Sequence, residues 1–225
     1  LGSGEKITAD RVVSSADPKT TFFKLVGVDN LEIQFTNRIN RLSSEGYVAK
    51  LHLALSGVPE FKGVSKPDGR MIIATKMDDI EFAWDDAKYG DVSENPVIEM
   101  VVPSLYDSSM APDGQHVLSA NVMYIPANLN GGWTDDAKQK LTDRIIDEIA
   151  KFAPNIREQI LHRELLTPAD LESEYNVTGG HWHHTEFSLH EMMMMRPTYE
   201  AAQYKTPIPG LYLAGAGSHP GGGLM

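Results

Sequence analysis

Leu211-Tyr-Leu-Ala-Gly-Ala-Gly-Ser-His-Pro-Gly-Gly-Gly223 decides how the rest of this chain is read. Its first four residues form an apolar run of strand character, and five glycines follow at positions 215, 217, 221, 222 and 223. Glycine removes the Cβ atom where a backbone turns with positive φ or comes close to a ligand. A strand, a turn of exposed backbone N–H groups and a helix N-terminus together make a site for phosphate or pyrophosphate. The spacing is not a Walker loop, because no Gly-Lys-Ser/Thr follows, and it is not the Gly-x-Gly-x-x-Gly of a dinucleotide fingerprint. From spacing alone an anion site, a packing turn and a loose tail all stay open. Such a turn normally leads into a helix, yet the sequence stops at Met225, and position 1 is Leu. The expectation is one portion of a longer polypeptide, with a natural C-terminus in a glycine tail as the alternative.

Working back from that stretch, Lys205-Thr-Pro-Ile-Pro-Gly210 is a turn before the final strand, and Gly179-Gly180 breaks the chain. Asp135–Ala153 is the most secure helix, with Ala137, Leu141, Ile145, Ile149 and Phe152 three to four apart, Thr134 as N-cap and Pro154 as stop. Val97–Pro103 and His116–Ile125 read as strands joined through the polar loop 107–114, a long antiparallel hairpin. Gly46–Leu55 and Met71–Thr75 read as strands, and Asp78–Tyr89, Leu31–Leu42 and Thr167–Glu172 as helices. Residues 5–13 read as a strand, then Asp17 caps a helix over Lys19–Val26 with Pro18 at its first position. Strands and helices mix without βαβ alternation, so the class is α+β with a largely antiparallel sheet.

Composition narrows the function. The 20 basic and 31 acidic residues leave a net charge of −11, which argues against nucleic acid or an anionic membrane as partner. No apolar run reaches the roughly 18 residues of a membrane span. With no cysteine, thiol nucleophiles, disulfides, iron–sulfur clusters and Cys-based zinc sites are excluded from this portion, and a cytoplasmic setting is expected.

The 211–223 stretch resembles the last flavin-contacting segment of the phytoene desaturase-like FAD-dependent oxidoreductases, a Leu-Tyr-aliphatic-aliphatic-Gly-Ala-Gly-Thr/Ser-His-Pro-Gly-x-Gly pattern near their C-terminus. Ala9–Pro18, Glu172, Gly179-Gly180, Arg196-Pro197 and Thr206–Tyr212 stand in the order that family uses. Within it the chain is most similar to the pyridine nucleotide-disulfide oxidoreductase domain-containing protein 2 branch. The resemblance implies a parent about twice this length, whose N-terminal βαβ unit binds the ADP half of FAD and is missing here. It further implies two returning pieces of that Rossmann-like FAD-binding domain, residues 1–27 and 204–225, around a substrate-binding domain over 28–203. FAD would lie along Gly215, Ala216, Gly217, Ser218, His219, Pro220, Gly221, Gly222 and Gly223. His219 would polarise the flavin edge or fix the turn through a bond to backbone. The family needs no strong acid–base pair, because the flavin carries the chemistry.

His181-Trp-His183-His184-Thr-Glu186-Phe-Ser-Leu-His190-Glu191 concentrates the remaining reactive side chains. On a helix, His183, Glu186 and His190 would share a face able to hold a metal. The motif is not His-Glu-x-x-His, so no metal is expected, and structural histidines are the plainer reading. Under the resemblance the stretch lines the substrate side of the flavin, with His181, His184, Met193 and Arg196 as lining candidates and His183 beside His219 as a catalytic candidate. Met192–Met195 is either ordinary core or a surface that moulds to a greasy ligand. Arg196 would make a structural salt bridge or meet a flavin phosphate.

The leading expectation is therefore a portion of an FAD-dependent oxidoreductase that moves hydrogen between a small, hydrophobic or amine-like substrate and the flavin, with self-association left open. As it stands the portion is expected to be inactive. A catalytically silent binding or assembly module that keeps the fold and a histidine-based metal hydrolase are the competing readings.

Overall fold

The computed structural model describes residues 3–222. In chain order the elements are β1 (Val12–Ser14), a π-helical segment (Thr20–Gly27), α1 (Ile33–Asn40), β2 (Val48–Leu55), β3 (Met71–Ile73), α2 (Met77–Lys88), β4 (Val97–Val101), β5 (His116–Met123), α3 (Asp135–Phe152), α4 (Ile156–Gln159), β6 (Ile160–Leu166), α5 (Pro168–Tyr175) and β7 (Leu211–Leu213). Contacts divide the chain into two units, residues 46–174 and residues 1–45 with 175–225. The divisions at 45/46 and 174/175 leave 28–45 and 175–203 packed with the terminal pieces.

Unit 46–174 is built on a five-stranded sheet in the order β3-β4-β5-β2-β6, with every neighbouring pair antiparallel. The expected hairpin is present, β4 and β5 pairing Val97 with Met123 through Val101 with Ser119. Side chains alternate across a pleat, and β2 shows this cleanly: Ala49, Leu51, Leu53 and Leu55 are fully buried, while the residues between them are half-buried. They pack with Leu118, Ala120 and Val122 of β5 and with Leu141, Ile145, Ile146 and Ile149 of α3. Thr134 caps α3 by accepting the Ala137 N–H at 3.2 Å. Phe152 leaves the expected stripe, being 39% exposed at the last turn. Residues 156–166, apolar at 156, 160, 161, 165 and 166, divide into a helical turn and the edge strand β6, whose middle residues Leu161–Glu164 are exposed. Charged side chains are a usual guard on such an edge.

The other unit holds the two-stranded sheet of β1 and β7, paired in parallel with Val12 opposite Leu211 and Ser14 opposite Leu213. The strand expected over 5–13 shortens to Val12–Ser14, because regular pairing with Leu211–Leu213 accounts for only those three residues. A small core of Phe22, Phe35, Ile39, Leu42, Ala201 and Leu213 lies in this unit. Phe22 meets Phe35 edge-on at 4.8 Å, so the helical segment, α1 and the end of β7 share one apolar cluster. That cluster fixes where the chain leaves β7 and begins to turn.

Candidate functional site

The turn after β7 is shaped by hydrogen bonds and by two left-handed glycines, Gly215 at φ +81° and Gly221 at φ +131°. The Ala214 N–H continues the sheet to the Ser14 carbonyl at 2.8 Å. Ser218, 2% exposed, donates both its N–H (3.1 Å) and its hydroxyl (2.8 Å) to the Gly215 carbonyl. Its hydroxyl is thus spent on closing the turn.

A loop, residues 181–191, lies against this turn. It is not helical, so the common face imagined for His183, Glu186 and His190 does not form. Among the described residues no three His, Asp or Glu side chains stand together as metal ligands. The Gly217 N–H donates to His184 Nδ1 at 3.2 Å, which places the proton of the neutral ring on Nε2. A Cβ on Gly217 would stand 2.6 Å from Pro18 Cδ and 3.0 Å from His184 Nδ1; on Gly221, 2.6 Å from Phe187 Cε1; on Gly222, inside the His183 ring. Three of the glycines are therefore demanded by the chain's own side chains, and the packing reading applies to them. Gly215 differs, since nothing comes nearer than 3.4 Å to its missing Cβ. Gly223 lies outside the described residues.

Arg196 joins loop and turn. Its side chain is fully buried. Nε donates to the Ala216 carbonyl at 2.8 Å, Nη1 to the carbonyls of Glu186 and Glu191 at 2.8 Å each, and Nη2 to those of His183 at 2.6 Å and Thr185 at 3.2 Å. The Phe187 ring lies 4.7 Å from its guanidinium carbon. The ion pair expected for it is absent among the described residues. With five carbonyls bound, no N–H remains for the direct phosphate contact that was the other expectation. No local pattern announces this arrangement, because the acceptors are backbone atoms scattered from His183 to Ala216.

Burial lowers the pKa of His181, His183 and His184. His181 is pushed down to about 4, first by burial and then by the charges of His183 and Arg196. His183 is lowered by burial and by Arg196. His184 is lowered by burial, with Asp17 opposing and Arg196 and His183 assisting. These three imidazoles are therefore neutral at pH 7. His219 stands apart, its Nδ1 2.8 Å from the Met193 carbonyl. A carbonyl only accepts, so Nδ1 carries the proton, and the ring ties the turn to residue 193, with Tyr204 edge-on at 5.8 Å. Met193, Met194 and Met195 are 55%, 64% and 45% exposed and form surface in this chain.

Asp17 anchors the other side of the turn. Its Oδ1 accepts the Thr20 N–H at 2.9 Å, as the expected cap, and also the Thr178 hydroxyl at 2.9 Å. Burial raises its pKa, but the bonds from Thr20 and Thr178 outweigh that and hold it below the ordinary value. The cap was legible in Asp17-Pro18, whereas the clamp to Thr178 was not.

Between these supports lies a hollow of about 320 Å³ lined by Tyr204, Ala214, Gly215, Ala216, Ser218, His219, Pro220 and Gly221. Among the described residues no acceptor meets the N–H of Gly215 or of Ala216. An open hollow carrying unpaired backbone donors suits an anionic or strongly accepting ligand edge, so the residues present fit a flavin.

Comparison with known proteins bears on this site. A family model described as flavin containing amine oxidoreductase matches residues 1–225. The chain is 35% identical over 237 residues to pyridine nucleotide-disulfide oxidoreductase domain-containing protein 2 of Mus musculus, covering 100% of this chain and 41% of that protein. It is 25% identical over 234 residues to a limonene dehydrogenase chain of Castellaniella defragrans, covering 96% and 42%. To the lycopene-forming phytoene desaturase of Pantoea ananas it is 30% identical over 137 residues, covering 59% and 26%. The chain thus spans about two fifths of the length of the relatives it matches end to end.

Proposed function

The chain belongs to the flavin-containing amine oxidoreductase family, and from that premise we propose that it is the C-terminal portion of an FAD-dependent desaturase or dehydrogenase. The observation that carries this reading is the hollow along Ala214–Gly221 with the unpaired N–H groups of Gly215 and Ala216. When bound, the flavin supplies the hydride acceptor for an apolar or amine-like substrate.

The chain's own residues bind and orient. Gly215 and Ala216 donate from backbone, and His219 keeps the turn against residue 193 with Nε2 left as acceptor. The neutral rings of His181, His183 and His184 back the turn without adding charge; with Nδ1 already accepting from backbone, His181 and His184 each keep an Nε2–H as donor. The exposed methionines 193–195 offer an adaptable apolar surface, in keeping with two relatives named for limonene and phytoene. Unit 46–174 is the substrate-binding domain in this reading, and the other unit is the returning part of the cofactor domain.

The test is the visible spectrum of the protein expressed from its complete reading frame. Flavin bands that persist through gel filtration and bleach on reduction are expected. A colourless protein that takes up no added FAD would refute the reading.

A further inference from the structure

We propose that Arg196 is a positioning residue that makes the hollow along Ala214–Gly221 selective for an anionic group, through a guanidinium charge fixed beneath its wall by backbone carbonyls and not by an ion pair. This inference rests on the flavin reading and adds to it what the site selects.

The geometry is specific. Arg196 donates to the carbonyl of Ala216, and its Cδ lies 3.5 Å from where a Cβ of Gly221 would stand; both residues line the hollow. All five of its hydrogen bonds go to carbonyl oxygens. Among the described residues it makes no ion pair, whereas Arg38, Arg70, Arg157 and Arg163 each do. Carbonyl dipoles solvate a cation but do not cancel its net charge. Glu191 is the acid that acts on it electrostatically, but its side chain makes no ion pair with the guanidinium, and its Oε1 accepts the Ser43 N–H instead. The three neighbouring histidines stay neutral, so they neither add to the charge nor screen it. In a chain of net charge −11, the hollow thus sits over a buried cation held only by carbonyl oxygens and presents two unpaired N–H groups.

A flavin dinucleotide brings negative charge from two sources: its phosphates at all times, and its ring after reduction. The test separates them. In the complete polypeptide, Arg196→Met removes the charge and Arg196→Lys keeps it. FAD dissociation constants and the flavin midpoint potential are measured for wild type and both variants. A unit charge within about 10 Å at an effective dielectric near 20 is worth on the order of tenfold in affinity. If the phosphates are the anion, Arg196→Met weakens oxidised FAD about tenfold and leaves the potential unchanged. If the reduced ring is the anion, the potential falls and reduced FAD loses about tenfold relative to oxidised. In either case Arg196→Lys recovers most of the loss, which a purely structural staple would not do, since lysine cannot reach five carbonyls.

Arg196→Met matching wild type in both readouts overturns the proposal. So does Arg196→Lys failing as badly as Arg196→Met. Should Arg196→Met not fold, wild-type apoprotein decides: competition of inorganic pyrophosphate against FAD, or tighter binding of reduced than of oxidised FAD, supports the fixed charge, and the absence of both overturns it. A wild type that takes up no FAD at all refutes the flavin reading itself.

Discussion

Replacing Gly217 with Ala tests whether turn and histidine loop are one packed body. The added Cβ would stand 2.6 Å from Pro18 Cδ, 3.1 Å from its Cγ and 3.0 Å from His184 Nδ1, where relaxed carbon contacts are about 3.5–4.0 Å. Pro18 is buried at the start of the helical segment and its ring cannot swing aside, so the turn itself must move by about 1 Å. That overpacking costs about 1–3 kcal/mol, and losing the Gly217 N–H to His184 Nδ1 bond adds about 0.5–1.5 kcal/mol. Together these come to about 1.5–4.5 kcal/mol. Gly215→Ala is the control: it keeps φ near +81° with no contact under 3.4 Å, so only the left-handed backbone is penalised, by about 1–2 kcal/mol. Urea unfolding of both variants beside wild type, followed by tryptophan fluorescence and circular dichroism, measures the difference. Gly217→Ala unfolding at the wild-type midpoint, or Gly215→Ala proving the costlier of the two, would refute the packing argument.

Two further outcomes follow from the same geometry. The folded state holds His181 at about 4 against an unfolded value near 6.5. The unfolded chain therefore binds more protons between those values, and stability from this group is complete above pH 6.5 and lost as pH falls toward 4. Because the ring is partly exposed, the loss is on the order of 2 kcal/mol; His181→Gln should flatten that part of a stability–pH curve, and an unchanged slope would contradict the burial argument. In the sheet unit, Leu53→Ala removes a fully buried side chain from the middle of β2 and should cost about 2–5 kcal/mol in a denaturant melt; a cost under about 1 kcal/mol would mean that the β2–α3 core collapses into the gap.

How much of this could be read in the sequence depends on the range of the interaction. Thr134, the three-to-four spacing from Leu141 to Ile149 and Pro154 act within a few residues, and α3 follows them closely. The β4–β5 hairpin was legible for the same reason. The parallel pairing of β1 with β7 was not, because its two strands stand near opposite ends of the chain and no local pattern reports such a partner. The glycine turn announced itself by composition, yet the separate reasons for Gly215, Gly217 and Gly222 appeared only with Pro18, His183 and His184 beside them. Arg196 shows the limit most clearly: as a residue type it suggests an ion pair, and here its acceptors are five backbone carbonyls that any residue could supply. Met193–Met195, open between core and surface on sequence grounds, are on the surface.

The β1–β7 pair has a consequence for how this polypeptide behaves among other chains. Parallel strands are normally sandwiched between layers and flanked by further strands, yet Val12 and Val13 are 54% and 65% exposed. Edge strand β6 shows His162, Arg163 and Glu164 to solvent, a deterrent to strangers. In the short parallel ribbon the β7 edge is met by Lys205 opposite Tyr212, while the β1 edge, with its apolar valines, carries no further strand among the described residues. That edge is a template for strand addition, able to recruit an extended segment that meets it.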